Sequence, residues 1–178
     1  MKDFKTLVQT RRSIRKFTGE ELKPEELQTI LRAALMSPTG KSVRGWHFII
    51  VDDKQILAQM SECRQAGATF IADAPVAVVV LYDKNLSDVW IEDASIAAVT
   101  MQYQAADLGL GSCWAQVRQR SQEDGTMADE VLRELLNYPD NLSALSIIAF
   151  GHPAIERKAQ DEENLKWENV HINTYKGE

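Results

Sequence analysis

The chain has 178 residues, a formal net charge of −6 and a sequence pI near 5.2. That length suits one domain, residues 1–178, with a full hydrophobic core. The acidic balance argues against a general binder of nucleic acid or of membrane surfaces, which are met by net basic faces.

Residues 3–10 have the spacing of a short amphipathic helix and lead into the basic run "RRSIRKF". Lys23-Pro24-Glu25-Glu26 opens a second helix, with proline where its missing N–H does no harm and acidic residues at the positive end of the dipole. It stops at Ser37-Pro38. "HFIIV" at 47–51 reads as a strand, 53–66 as a helix with Ile56, Leu57 and Met60 on one face, and "APVAVVVLY" at 74–82 as a central strand covered on both faces. The segment 89–108 is a helix apolar on more than one side. Gly109 fits its C-cap, "SCWAQV" enters a strand, 126–137 is a helix and "LSALSIIAFG" a last buried strand. The tail from His152 is polar and charged but carries Trp167, Val170 and Tyr175, so residues 152–178 are expected to pack on a partner subunit. The layout is α+β, with about four core strands between helices.

Cys63 and Cys113 lie far apart and outside any C-x-x-C, so neither a disulfide framework nor a thiolate metal site is expected, and both read as buried small hydrophobes. No apolar h-region opens the chain and no apolar run is long enough to span a bilayer, so a soluble, cytoplasmic protein is expected.

Two basic stretches carry the functional signal. In an extended segment, Arg11, Ser13 and Arg15 project to one side and Arg12 to the other, which suits bidentate binding of a phosphate; the alternative is a solvated patch paired with the many carboxylates. "SPTGKSVRGW" adds Lys41, Ser42 and Arg44, or else is an ordinary connection whose tryptophan fills the core. The helix between the two stretches is short enough to suggest that they lie near one another and share an anion. Gly40-Lys41-Ser42 resembles the end of a P-loop, yet position 35 is Leu35 and the order is helix, loop, strand, the reverse of what that motif needs. "LGLGSCW" fails as a dinucleotide fingerprint for the same reason of order, and because position 114 is Trp114. His47, His152 and His171 are scattered, and no H-E-x-x-H or G-x-S-x-G occurs. With no nucleophile, base or metal cluster in view, the chemistry is expected to come from a bound cofactor.

Taken in order, "TRRSIRKF", "SPTGKSVRGWHF", "DASIAAVTMQYQAADLGLGSCW" and "FGHP" resemble the nitroreductase family of flavin enzymes over residues 10–153. The resemblance implies a three-layer α/β/α homodimer with a mixed, mainly antiparallel sheet and two FMN molecules at the subunit interface. It puts phosphate and ribityl contacts on Arg11, Arg12, Ser13 and Arg15. Ring and ribityl contacts fall on Pro38, Thr39, Gly40 and Ser42, reaching a flavin shared across the dimer. It assigns backbone contacts near flavin N5 to Trp114, Ala115 and Gln116, and a further phosphate contact to Arg157 or Lys158; no catalytic side chain and no metal are implied.

Many family members read Asn-x-Gln-Pro-Trp where this chain has Ser42-Val43-Arg44-Gly45-Trp46, a shorter donor and an added charge beside the ribityl and ring. The expected activity is ping-pong oxidoreduction: NADH or NADPH gives a hydride to flavin N5, and a small-molecule acceptor (nitroaromatic, quinone, enone or free flavin) then takes it. The rival readings are a flavin-binding or storage protein without turnover and an anion-binding structural module.

Overall fold

The computed structural model describes residues 3–175. Its elements in chain order are α1 (Phe4–Thr10), α2 (Pro24–Leu35), β1 (Trp46–Val51), α3 (Lys54–Ser61), β2 (Val76–Asp83), α4 (Trp90–Asp107), β3 (Gly111–Gln116), α5 (Ala128–Leu136) and β4 (Leu142–Gly151). Short 3₁₀ turns lie at Gly40–Ser42, Thr69–Ile71, Glu162–Asn164 and Trp167–Asn169.

The four strands form one sheet in the order β1-β2-β4-β3, and every neighbouring pair is antiparallel. Its parallel component is the bridge between Ser13 and Ser112, which adds the arginine run to the outer edge of β3. β2 is buried from Val76 through Tyr82, as its unbroken apolar run requires of a strand covered on both sides. Alternate residues feed two cores. Ala77, Val79, Leu81, Ile147 and Ala149 pack with Leu57 and Met60 of α3 and Leu132 of α5. Val78, Val80, Tyr82, Ile148 and Phe150 pack with Ile30 and Ala34 of α2 and Ala94, Ala98 and Met101 of α4. This is the expected α/β/α sandwich, and burying each branched or aromatic side chain contributes about 1.5–3 kcal/mol.

Local chemistry sets the ends of the elements. The Glu26 carboxylate accepts the Lys23 N–H at 2.9 Å at the start of α2, and Asp53 accepts from Gln55 and Ile56 at the start of α3. α4 ends in a Schellman turn: Gly109 has φ +80°, its N–H reaches Ala106, and the Leu110 N–H reaches Ala105 at 2.8 Å. A register shift between β2 and β4 leaves Leu145 as an extra residue, and its carbonyl accepts from both Val117 and Arg118, bending the chain out of β3.

Two expectations change. The helix expected over 53–66 ends at Ser61, because the chain turns through Cys63 and Arg64 toward Gly67, which has φ +82°. The helix expected over 126–137 covers Ala128–Leu136, closed by Asn137 in the left-handed conformation. Among the described residues no helix is long and apolar enough to cross a membrane, and no cluster of metal-ligating side chains occurs.

Candidate flavin site

The arginine run is held to β3 by the backbone. The Ile14 N–H donates to the Ser112 carbonyl at 2.9 Å, and Ile14 is buried over Gly111, where a Cβ would lie 2.8 Å from the Ile14 side chain. Only glycine leaves room there for the Ile14 side chain. Burial pushes the Cys113 thiol up, while the Arg15 charge, the Ser13 hydroxyl and the Arg11 charge draw it back down. Arg12 donates to the Lys158 carbonyl. Arg11 stacks 5.9 Å from the Tyr103 ring centre, and Arg15 6.0 Å from that of Phe70.

Arg11 and Arg12 also border two cavities. One, of about 860 Å³, includes Lys5, Tyr103 and Lys158; the other, of about 260 Å³, includes Arg157 and the backbone from Gly109 to Ser112. Among the described residues no carboxylate forms an ion pair with Arg11, Arg12, Arg15, Arg157 or Lys158.

The outer edge of β3 continues the site. The Ser112 carbonyl is taken by Ile14 and the Gln116 carbonyl by the Arg64 guanidinium at 2.9 Å, so both face away from β4. Strand alternation puts the Trp114 N–H on that same open edge, whereas the Ala115 backbone faces β4. The Trp114 indole N–H donates to the Gln116 side chain at 2.9 Å, which in turn donates to the Arg118 carbonyl, fixing both rotamers. Arg64 and Phe70 join this group although the sequence did not single them out: Arg64 lies in the part of the expected 53–66 helix that does not form, and Phe70 in the 3₁₀ turn at Thr69–Ile71.

The second block lies elsewhere. Thr39 accepts the Arg44 N–H on its hydroxyl at 3.2 Å, Gly40–Ser42 forms a 3₁₀ turn, and Pro38 and Ser42 are exposed. This loop precedes β1, at the far edge of the sheet and at its opposite end. Trp46 pairs with Tyr82, whereas Ser13 lies beside Ser112 in the row of Phe150 and Val76. The separation is four strand spacings across and six residues along, on the order of 25 Å. The expectation that the two basic stretches lie near one another is therefore corrected: the intervening helix is short, but β1 enters the sheet at the wrong edge.

Two buried side chains missed in the sequence position that loop. The Asp93 carboxylate, 2 % exposed, accepts the Gly40 N–H at 2.9 Å and the Tyr82 hydroxyl at 2.8 Å. Burial, and then the hydrogen bond to Asp93, push the Tyr82 phenol up. A carboxylate one turn before Ala97, on the buried stripe of α4, was the signal available.

A family model described as the Nitroreductase family matches residues 8–66 and 62–152. A protein of Archaeoglobus fulgidus, provisionally named an NADH dehydrogenase/NAD(P)H nitroreductase, is 34% identical over 161 residues, covering 88% of this chain and 89% of its own length. An NAD(P)H FMN reductase of Bacillus subtilis strain 168 is 31% identical, over 80% of this chain and 63% of its own. Among solved structures, an FMN-dependent nitroreductase from Clostridium difficile R20291 is 46% identical with a TM-score of 0.93, covering 95% of this chain and 98% of that one. The chain belongs to the nitroreductase family.

Proposed function

We propose that this chain is a single-domain, FMN-dependent oxidoreductase working as a homodimer, with NADH or NADPH as donor. A nitroaromatic, quinone, enone or flavin is the acceptor, and donor and acceptor enter in turn. The observation that carries the reading is the unpaired cationic edge of β3: in a chain of net charge −6, Arg11, Arg12 and Arg15 have no carboxylate partner among the described residues. Such an edge suits an anionic ligand.

The residues fit FMN. Arg11, Ser13 and Arg15 would hold the phosphate and ribityl chain. Arg12, turned to the Lys158 carbonyl, keeps the segment bearing Arg157 and Lys158 within reach of the same anion. The Trp114 N–H, on the open edge and flanked by Gln116, would donate to the ring, and Arg15, stacked on Phe70, would supply positive charge. Bound FMN supplies the redox chemistry, accepting a hydride from NADH or NADPH and passing it on. The side chains orient the ring and exclude water, and none acts as acid or base.

Pro38, Thr39, Gly40 and Ser42 complete the site from the partner, since their own chain's arginine run lies at the opposite corner of the sheet. The tail supports this assembly: Trp167, Val170, Ile172 and Tyr175 are 69%, 60%, 75% and 82% exposed, an apolar series suited to burial against a second copy. The test is the visible spectrum of purified protein under anaerobic conditions. The expected result is flavin absorption that NADH or NADPH bleaches. Colourless protein that saturating FMN leaves unchanged would sink the proposal, and bound FMN that neither donor reduces would leave a flavin-binding protein without turnover.

A further inference from the structure

The loop before β1 holds a conformation that its own sequence does not favour. Lys41, Ser42 and Arg44 have φ of 54°, 57° and 54°, a region that non-glycine residues keep only when their surroundings fix them. Two close approaches bring the loop onto its neighbours. A Cβ on Gly40 would lie 2.7 Å from Val89 Cγ2, and one on Gly45 would lie 2.6 Å from Tyr82 Cε1. The Gly45 carbonyl also accepts the Asp83 N–H at 2.9 Å.

The group joining these contacts is Asp93. It lies early in α4, next to the positive end of the helix dipole, and no cation among the described residues pairs with it. One carboxylate oxygen takes the Gly40 N–H; the other takes the hydroxyl of Tyr82, whose ring covers Gly45. One end of the loop is thus bonded directly to the Asp93 carboxylate, and the other packs against the ring of the tyrosine that this carboxylate holds.

We propose that Asp93 is the positioning residue of this loop: without touching the flavin, it sets where Thr39, Gly40 and Ser42 stand and so how tightly FMN is held. The inference rests on the flavin reading above. Asp93 is required here as an acceptor of two bonds, so asparagine, which keeps one acceptor oxygen, preserves part of the effect and alanine none. Tyr82→Phe removes one bond and leaves the ring over Gly45.

The experiment pairs two readouts on Asp93→Ala, Asp93→Asn and Tyr82→Phe. The first is hydrogen–deuterium exchange of residues 37–46 in FMN-free protein, and the second is the FMN dissociation constant from flavin fluorescence. Exchange in the loop is expected to quicken, with α5 unchanged, and FMN binding to weaken by roughly tenfold for Asp93→Ala. Asp93→Asn and Tyr82→Phe fall between alanine and wild type. Faster exchange in α5 and β4 together with the loop would make Asp93 a general stability residue and overturn the proposal. Wild-type FMN affinity in Asp93→Asn and Tyr82→Phe would overturn it too, and both variants retain most of the packing if Asp93→Ala fails to fold. Wild-type protein that takes up no FMN would remove the flavin reading itself, whereas FMN binding that ignores these substitutions would remove this inference alone.

Discussion

Ser13 lies beside Ser112 in a parallel bridge, with the Ile14 N–H bonded to the Ser112 carbonyl at 2.9 Å. That contact lays the arginine run along the β3 edge. Replacing either by alanine should weaken FMN binding by about 1.5–3 kcal/mol, the worth of a hydrogen bond to a charged group. Lys23→Ala, an exposed cation at the start of α2, should change nothing. Titration calorimetry at low and high salt checks this, and equal affinities in all three variants would return the run to an ordinary solvated patch.

Gly111 carries the same contact from the other side. Gly111→Ala places a methyl group 2.8 Å from Ile14, so the run must shift. The expected cost is about 1–3 kcal/mol of stability, as for other overpacked sites, together with weaker FMN binding. Ile14→Ala removes both Cγ atoms of that contact, so the Ile14→Ala/Gly111→Ala double variant should lose less stability than the sum of the two single losses, as thermal unfolding would show. A Gly111→Ala protein as stable as wild type would mean that the backbone gives way freely here.

Cys63 is fully buried, and burial raises its thiol from 9.0 to about 11. Its folded value therefore lies above its unfolded one, so the thiol contributes stability below about pH 9 that is lost as pH rises toward about 11. Native protein at pH 8 should leave both cysteines unreacted with a thiol reagent, and both should react in guanidinium. Rapid modification of Cys63 in native protein would contradict its burial.

The fold was largely readable in advance because its signals are local: the 3.6-residue spacing of α2, the unbroken apolar run of β2, the glycine after α4. The site was readable only in part. Arg11, Ser13 and Arg15 were legible as a basic run, whereas the rings that Arg11 and Arg15 stack on, Tyr103 and Phe70, were not. Arg64 and Phe70 lie between α3 and β2, where the expected helix stops short, and reach β3 through a hydrogen bond to Gln116 and a stack on Arg15. The distance between the two basic blocks depends on strand order, which no local pattern encodes: β1-β2-β4-β3 puts them at opposite corners.

That separation makes the two-chain site the central claim, and complementation tests it most directly. Arg15→Ala damages the β3 edge and Ser42→Asp adds a negative charge to the loop, so each homodimer should bind FMN poorly. A mixed dimer would contain one site with both defects and one with neither. Unfolding and refolding the two variants together should therefore restore FMN binding and NAD(P)H-dependent reduction toward half of the wild-type level in the heterodimer. Heterodimers that form but bind no more FMN than the parent variants would contradict the account, as would wild-type monomers sedimenting with full flavin occupancy.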